Sequence, residues 1–201
     1  KRDSTFQRSI FFSTTVYYRY AYNVFTRYRT VDSLGRSNVS FDNLNTGQNI
    51  GVEFTNRTSL FRWWSFVLSG NFYQNTVKGD VPNGEVDATT NSFQYNIRLM
   101  NTFNINPKAS IQLMVMYRSK IKFLQGEITP MVFANIGFKY DFLKNNKASI
   151  AVNVSDVFHT QYFGVSTQGS TFSGNVKRYW ESTVGNIVFT YRFGKSESKT
   201  P

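Results

Sequence analysis

The sequence predicts an all-β fold, an antiparallel up-and-down β-barrel that spans a membrane, and three observations predict it. Apolar and polar residues alternate along many segments, as they do in strands with one apolar face. These segments are roughly 10 to 14 residues long, whereas soluble strands run to about 5 to 6 residues and tilted membrane strands need about 9 to 11. Short and long connections also alternate along the chain, which is typical of membrane barrels.

The alternation defines the strands in order. We count about nine, and eight of them show the pattern clearly, with apolar positions that begin at Ile10, Ile50, Trp64, Tyr95, Ile111, Val132, Ile150 and Ile187. Every second residue of such a strand faces the same side. The residues predicted to face lipid most clearly are Ile111, Leu113, Val115, Ile150, Val152, Val154, Ile187 and Phe189.

The connections give an independent test of the topology. The predicted tight turns are residues 21–23, 61–63, 106–108 and 144–147, and the predicted long loops are residues 33–48, 79–90, 121–129 and 160–178. In an up-and-down sheet, alternate connections lie on the same edge. One edge therefore carries the short turns and the other the long loops, as expected for short periplasmic turns and long external loops.

Aromatic residues near the strand ends predict two interfacial girdles. The girdle beside the short turns is expected to contain Tyr18, Tyr20, Trp64, Phe103, Tyr140, Phe142, Tyr191 and Phe193. A second level near the long loops is expected from Tyr28, Phe72, Tyr95, Tyr117, Phe158 and Trp180. The competing interpretation is that aromatic residues simply favour strands.

Composition excludes several classes of protein. Aromatic residues make up 17% of the 201 residues and hydrophobic residues 40%, which argues against a disordered chain. No stretch approaches 18 consecutive apolar residues, so no transmembrane helix is expected. The chain has no cysteine and one histidine, which leaves no thiolate chemistry and no histidine cluster for a metal. The net charge is +11, but the basic residues are scattered, and we therefore predict no nucleic-acid partner.

The odd strand count and the absence of a signal peptide at Lys1 suggest a part of a larger barrel. The alternative is a small complete barrel of about eight or ten strands.

Several segments carry recognisable motifs: residues 153–160 read NVSDVFHT and residues 189–195 read FTYRFGK. They are similar to the NVSDIFNT segment and to the SYRFGK ending of TonB-dependent receptor-like barrels of the bacterial outer membrane, and the chain resembles that family. Further matches are 16–19 (VYYR), 29–35 (RTVDSLG) and 68–73 (LSGNFY). His159 departs from the family, which usually has Asn or Asp there.

The resemblance implies a barrel of about 22 strands around an N-terminal plug, which imports a nutrient or chelate and is driven by the TonB complex. Residues 1–195 would be the C-terminal part of that barrel and 196–201 a polar tail. The plug and the remaining strands would lie upstream, outer-membrane lipid would surround the wall, and a surface lipoprotein is a possible further partner. The alternatives are a passive porin-like or structural barrel and a soluble β-rich binding module.

Candidate sites follow from the predicted loops and faces. Tyr162, Phe163, Phe172 and Tyr179 lie in or beside the longest loop and could grip a substrate, although packing against neighbouring loops is the more economical interpretation. The basic residues predicted to face the lumen are Arg19, Arg27, Arg29, Arg57, Arg98, Arg118 and Arg192. They could favour an anionic substrate, pair with acidic plug residues or simply be solvated.

We expect no catalytic site, metal site or cofactor. Asp156 and Glu181 lie near the same long loop, but no sequence feature supplies the close approach or shifted pKa that acid–base work requires. His159 is a solitary residue at a loop edge, more consistent with a surface histidine than with a ligand. The protein is therefore predicted not to be an enzyme.

Overall fold

The computed structural model describes residues 8–80, 87–169 and 172–193, which fold almost entirely into β-strands. The predicted tail 196–201 lies outside these residues. Residues 144–146 form one short 3-10 turn, Lys144–Asn146. The strands are β1 (Ser9–Val31), β2 (Ser37–Phe61), β3 (Trp64–Asp80), β4 (Asp87–Asn106), β5 (Ala109–Arg118), β6 (Ile121–Phe123), β7 (Gly126–Ile128), β8 (Met131–Phe142), β9 (Ala148–Val154), β10 (Tyr162–Gln168), β11 (Ser173–Tyr179) and β12 (Gly185–Tyr191).

Eight of these strands form one antiparallel sheet, which we call the main sheet, in the order β1-β2-β3-β4-β5-β8-β9-β12. The other four form the small sheet, in the order β11-β10-β7-β6. Both of its hairpins are inserted between consecutive strands of the main sheet. In the part of the chain that the structure describes, β1 and β12 each pair on one side, and the main sheet is not closed.

The prediction of about nine strands in the wall was wrong by one, because the expected turn at 21–23 is not a turn. Strand β1 runs through this segment, and its pairing with β2 shifts register between Ala21 and Val24 and again between Val24 and Thr26. Asn23 has a positive φ of 53°, a conformation that tight turns also use. A β-bulge absorbs this conformation without reversing the chain.

The predicted long loops are also largely strand. β1 ends at Val31, and the chain reverses direction within residues 32–36, where the Asp32 carboxylate accepts hydrogen bonds from the backbone N–H groups of Leu34 and Arg36. β2 begins at Ser37, so most of the expected loop 33–48 is strand. Segments 121–129 and 160–178 contain the hairpins β6–β7 and β10–β11. Polar composition predicted loops, whereas backbone pairing extends the sheet well beyond the apolar segments.

The short turns are staggered as strand tilt requires. Trp64, beside the β2–β3 turn, pairs with Phe103, and β4 continues three residues further, to Asn106, before its own turn. Ala109 pairs with Tyr140, and β8 continues two residues further, to Phe142. Each short turn is therefore displaced from the previous one by two to three residues, or roughly 7 to 10 Å, along the strand direction. Across the sheet, successive short turns are separated by two strand spacings of about 5 Å each. The turns therefore lie level if the strands tilt by about 35 to 45°, the usual range for membrane barrels.

The aromatic residues form stacked groups at two levels. Phe61, Trp63, Trp64 and Phe103 stack beside the short turns, with ring centroids 5.6 to 6.3 Å apart. The opposite level contains a second stacked group, Phe72, Phe93, Tyr95 and Tyr117.

Tyr18 and Tyr20 were assigned to the wrong level. Tyr18 pairs with Ile50, whose partner Gln74 pairs with Phe93, so both tyrosines lie at the level of the long hairpins. The mistaken turn at 21–23 caused this error.

Burial is inverted relative to a soluble protein. Among the described residues, the buried apolar side chains are only Ala109, Ala134 and Ala148. Large apolar side chains are exposed instead, with Val16 and Ile187 each 73% exposed. A contiguous exposed apolar surface of this kind indicates contact with something other than water.

Candidate functional site

The register divides the main sheet into two chemically distinct faces, because cross-strand partners lie on the same face. One row of the first face consists of Trp64, Phe103, Ile111, Phe138, Val152 and Ile187. One row of the second face consists of Thr15, Glu53, Asn71, Asn96 and Arg118. All eight residues predicted to contact lipid lie on the first, apolar face. Which medium each face contacts stays a prediction.

Two tyrosines organise the polar face around a glycine. Tyr17, Gly51 and Tyr73 are successive cross-strand partners on β1, β2 and β3. A Cβ atom at Gly51 would lie 2.6 Å from Tyr73 Cβ and 2.7 Å from the Tyr17 hydroxyl. The missing side chain lets Tyr17 reach over β2 and donate a hydrogen bond to Asn71 Oδ1 at 3.0 Å.

Amide side chains continue this network along the polar face. Asn71 Nδ2 donates to Glu53 Oε1 at 3.2 Å, and the Tyr73 hydroxyl donates to Gln94 Oε1 at 2.8 Å. Gln94 is only 2% exposed. The network therefore links β1 to β4 through side chains as well as through the backbone ladder.

A cavity of about 610 Å³ lies against this network. Its lining is almost wholly polar: Thr15, Tyr17, Tyr18, Arg19, Asn49, Glu53, Asn71, Tyr73, Asn75 and Asn96. A wall of amides, phenols and single charges can exchange hydrogen bonds with a polar solute or with another polar protein surface. Sequence reasoning noted the charges on this wall but missed the amides and tyrosines that dominate it.

Four predicted lumen arginines lie on this polar face. Arg19 pairs with Asn49, Arg57 with Val67, Arg98 with Ser69 and Arg118 with Asn96. They are therefore distributed across the sheet rather than gathered at one point.

The other three predicted lumen arginines differ from these. The side chain of Arg27 lies outside the described residues. Arg29 lies on the extension of β1 beyond the bulge, where its Nε donates to Ser37 Oγ at 2.9 Å. Arg192 lies just past β12, and its Nη1 donates to the backbone carbonyl of Asn146 in the β8–β9 turn at 3.0 Å.

The four loop aromatics predicted to grip a substrate are not brought together. Tyr162 and Tyr179 are cross-strand partners in the small sheet, with ring centroids 5.3 Å apart. Phe163 follows Tyr162 on β10, so it points to the opposite side. The ring of Phe172 lies 5.0 Å from the Arg29 guanidinium carbon. Contacts of this kind, with neighbouring loop or hairpin residues, were expected under the alternative interpretation that the aromatic residues pack against neighbouring loops.

Gln125 joins the small sheet to the free edge of β1. Its Oε1 accepts a hydrogen bond from the Arg29 backbone N–H at 2.7 Å, and its Nε2 donates to the Arg29 carbonyl at 3.0 Å. Its own carbonyl accepts from the Gln168 N–H at 2.9 Å. One side-chain amide thus occupies both backbone groups of Arg29, as a neighbouring strand would. No sequence signal pointed to this contact, which spans 96 residues of chain.

Asp156 is the most completely enclosed side chain among the described residues, at 0% exposure. Its carboxylate accepts hydrogen bonds from Ser182 Oγ at 2.5 Å, Gln161 N at 2.9 Å and Thr160 N at 3.0 Å. Its backbone N–H donates to Asn135 Oδ1 at 2.9 Å. These bonds tie β8 and the end of β9 to the segments leading into β10 and β12.

This environment fixes the charge state of Asp156. Burial raises its pKa, whereas the hydrogen bonds from Ser182, Gln161 and Thr160 lower it, and the balance holds the pKa below the ordinary 3.8. An ionised carboxylate that accepts this many hydrogen bonds is a structural acceptor. The neighbouring His159 is exposed, and its Nδ1 lies 3.1 Å from Thr183 Oγ1.

A second cavity, of about 630 Å³, lies where the start of β4 meets the small sheet. It is lined by Thr89, Thr90, Asn91, Lys122, Phe123, Leu124, Gly126, Glu127, Ser166 and Gln168. The four predicted loop aromatics do not line it.

Comparison with protein families identifies the family of the chain. The model of an outer membrane protein beta-barrel family matches residues 3–191. The chain belongs to this family. No curated protein and no solved structure matches it.

Membership in the outer membrane protein beta-barrel family places the protein in the bacterial outer membrane. The described residues contain no helix that is long and apolar enough to cross a membrane. The same residues contain no group of three or more His, Cys, Asp or Glu that could hold a metal ion.

Proposed function

We propose that this chain forms the C-terminal barrel wall and external hairpins of a TonB-dependent outer-membrane receptor that imports a nutrient or chelate. The apolar face of the main sheet meets lipid and the polar face lines the lumen. The plug domain and the remaining strands of the same protein complete the structure.

The single observation that carries this proposal is the open main sheet. Eight strands in unbroken antiparallel order leave β1 and β12 each with one unpaired edge among the described residues. Unpaired backbone groups are strongly disfavoured in lipid, so a membrane sheet must close on itself or on further strands. Closure with further strands gives a wide barrel, and a wide lumen needs a plug or conducts freely.

Two features of the described residues support a receptor rather than an inert barrel. The polar face presents a hydrogen-bonding cavity of about 610 Å³. The small sheet and the β1–β2 hairpin are joined through Gln125 and Arg29 at the end opposite the short turns. Such joined hairpins restrict the mouth of the lumen, as a selective receptor requires.

The test uses the full-length protein purified from outer membranes. In planar bilayers we expect it to be closed, with no steady open-channel current, and to bind the periplasmic domain of TonB. Removal of the domain before the barrel should open a steady current. Steady conductance of the intact protein without TonB binding would overturn the proposal and identify a passive porin-like barrel.

A further inference from the structure

The side chains that line the first cavity, of about 610 Å³, fall into two groups. Tyr17 and Asn71 are already hydrogen-bonded to each other. Asn49, Asn75 and Asn96 line the same cavity, and their side-chain amides have no hydrogen-bond partner among the described residues. Each side-chain amide carries two N–H donors and one carbonyl acceptor. The cavity wall therefore presents unused donors and unused acceptors together.

The ring of Tyr17 forms a further part of this wall. Tyr17 starts on β1, and its hydroxyl lies 2.7 Å from the position that a Cβ atom of Gly51 on β2 would take. The same hydroxyl donates to Asn71 on β3. The side chain therefore extends along the surface of the sheet across β2, and a hydrogen bond holds its far end. A ring held in this way offers its electron-rich π system to the C–H groups of a bound molecule.

The charges of the cavity wall balance. Among the described lining residues, Arg19 supplies one positive charge and Glu53 supplies one negative charge. The other six arginines predicted to face the lumen do not line the cavity. The described lining also contains no aliphatic residue. The wall therefore offers hydrogen bonds and aromatic surface, with neither a net charge nor an aliphatic patch.

The cavity begins at the aromatic level opposite the short turns. Phe72 belongs to that level, and its chain neighbours Asn71 and Tyr73 line the cavity on the polar face. Asn49 and Asn75 are cross-strand partners that lie still further from the short turns. With the short turns in the periplasm, as in membrane barrels generally, the cavity lies in the external part of the lumen. It is therefore on the side from which a nutrient enters.

We propose that this cavity binds a neutral oligosaccharide. Neighbouring hydroxyl groups of a sugar accept from and donate to the same amide, which matches Asn49, Asn75 and Asn96. The C–H groups of the sugar ring pack on Tyr17. A volume of about 610 Å³ lies within the range of about 300 to 1,000 Å³ that is usual for small-molecule sites. The inference deepens the proposed function by giving the class of nutrient, and its import step rests on that proposal.

Two other classes of ligand fit this wall less well. An oligopeptide offers amide groups to the three asparagines, but its apolar side chains find no aliphatic residue in the described wall. A chelate with several negative charges meets the Glu53 carboxylate as well as the single Arg19 guanidinium. A neutral sugar presents only hydroxyl groups and C–H groups, which are the groups that this wall complements.

The test measures binding to the purified full-length protein in detergent, without TonB. An array of neutral and acidic oligosaccharides and oligopeptides identifies the bound ligand, and isothermal titration calorimetry then measures its affinity. We expect a neutral oligosaccharide to bind. Asn75→Ala/Asn96→Ala should weaken its affinity about tenfold or more, because each lost amide removes hydrogen bonds to the sugar.

The matched control is Gln112→Ala/Asn186→Ala. It removes two exposed amides from a row of the polar face that does not line the cavity, and it should keep the affinity of the unchanged protein. Tyr17→Leu removes the ring and should also weaken binding about tenfold, whereas Tyr17→Phe keeps the ring and should weaken it less. Heat-dependent gel mobility checks that each variant is folded. If Tyr17→Leu fails to fold, the two double variants decide, because their amides have no partner among the described residues.

Absence of neutral oligosaccharide binding would overturn the proposal, and so would tighter binding of an acidic sugar or a peptide. An equal loss of affinity in the two double variants, or no loss in Asn75→Ala/Asn96→Ala, would also overturn it. Failure of the proposed function is a separate result. A protein that binds the sugar but conducts steadily and does not bind TonB would keep this site and lose the receptor. A closed, TonB-binding protein without sugar binding would keep the receptor and lose this site.

Discussion

The main sheet and the small sheet are both antiparallel, yet different interactions position them. Eight strands of the main sheet are ordered by the backbone ladder and by alternation of apolar and polar residues. The small sheet pairs with itself but joins the rest of the molecule through side chains that bond to the backbone, above all Gln125, and through the Asp156 cluster at its base. The backbone hydrogen bonds of the main sheet distribute its stabilisation over many residues. The position of the small sheet depends instead on a few side-chain contacts.

That difference explains what sequence could predict. Period-two alternation located the wall strands because side chains in a strand change face at every residue. It failed at Ala21-Tyr22-Asn23, because a bulge and a turn both use an Asn with positive φ.

The anchors of the small sheet were beyond sequence reasoning for a different reason. Gln125 contacts backbone atoms 96 residues away, and no local pattern encodes such a pairing. Asp156 was noticed as part of a family-like segment, but its burial depends on Ser182, Gln161 and Thr160, which the fold brings to it.

The largest effect should come from removing the Asp156 anchor. Asp156→Ala leaves Ser182 Oγ and the backbone N–H groups of Thr160 and Gln161 without their acceptor, at a cost of about 3 kcal/mol or more in unfolding free energy. Urea titration of protein refolded in lipid vesicles measures this loss. Glu181→Ala, which removes an exposed carboxylate nearby, is the control and should cost far less. Equal losses of unfolding free energy in Asp156→Ala and Glu181→Ala would show that the Asp156 carboxylate does not act as an anchor.

The Asp156 carboxylate should also make the unfolding free energy of the protein depend on pH. Its pKa in the folded protein lies below the ordinary 3.8, so the stabilisation is present above that value and is lost as the pH falls through the folded pKa. Unfolding titrations between about pH 5 and pH 2 should show a decline that Asp156→Asn reduces. If the unchanged protein and Asp156→Asn lost stability identically, the pH dependence would come from titratable groups other than Asp156.

The next largest effect separates the two faces of one strand. Val152→Arg puts a charge on the predicted lipid face and should cost about 2 to 4 kcal/mol. Asn153→Arg, on the other face of β9, should cost much less because its neighbours are polar. Folding titrations in vesicles that found the two equally damaging would reverse our assignment of the faces.

A smaller effect is expected where the two wall tyrosines crowd a glycine. Gly51→Val places carbon atoms against Tyr73 Cβ and the Tyr17 hydroxyl, at an expected cost of about 1 to 3 kcal/mol. Gly185→Val is the matched control, because nothing lies within 4 Å of the position that a Cβ atom would take there. The change in urea midpoint measures both, and an unchanged midpoint for Gly51→Val would show that the tyrosines can move aside.

The smallest effect should follow loss of the contact between Gln125 and β1. Gln125→Ala frees both backbone groups of Arg29 but leaves the main-sheet ladder intact, so we expect little change in the urea midpoint. Hydrogen exchange at the Arg29 amide should accelerate about tenfold, which corresponds to roughly 1.4 kcal/mol of local opening. Gln112→Ala, on the wall, is the control. Unchanged exchange at Arg29 would show that Gln125 does not hold this edge.

The central claim is that successive residues of one strand contact lipid and water in turn, and β5 tests it most directly. The chain has no cysteine, so spin labels can be attached to single cysteines placed along residues 110–116. In vesicles, accessibility to oxygen should be high at Ile111, Leu113 and Val115, and accessibility to a water-soluble nickel complex should be high at Ser110, Gln112 and Met114. A profile without this alternation would contradict the account.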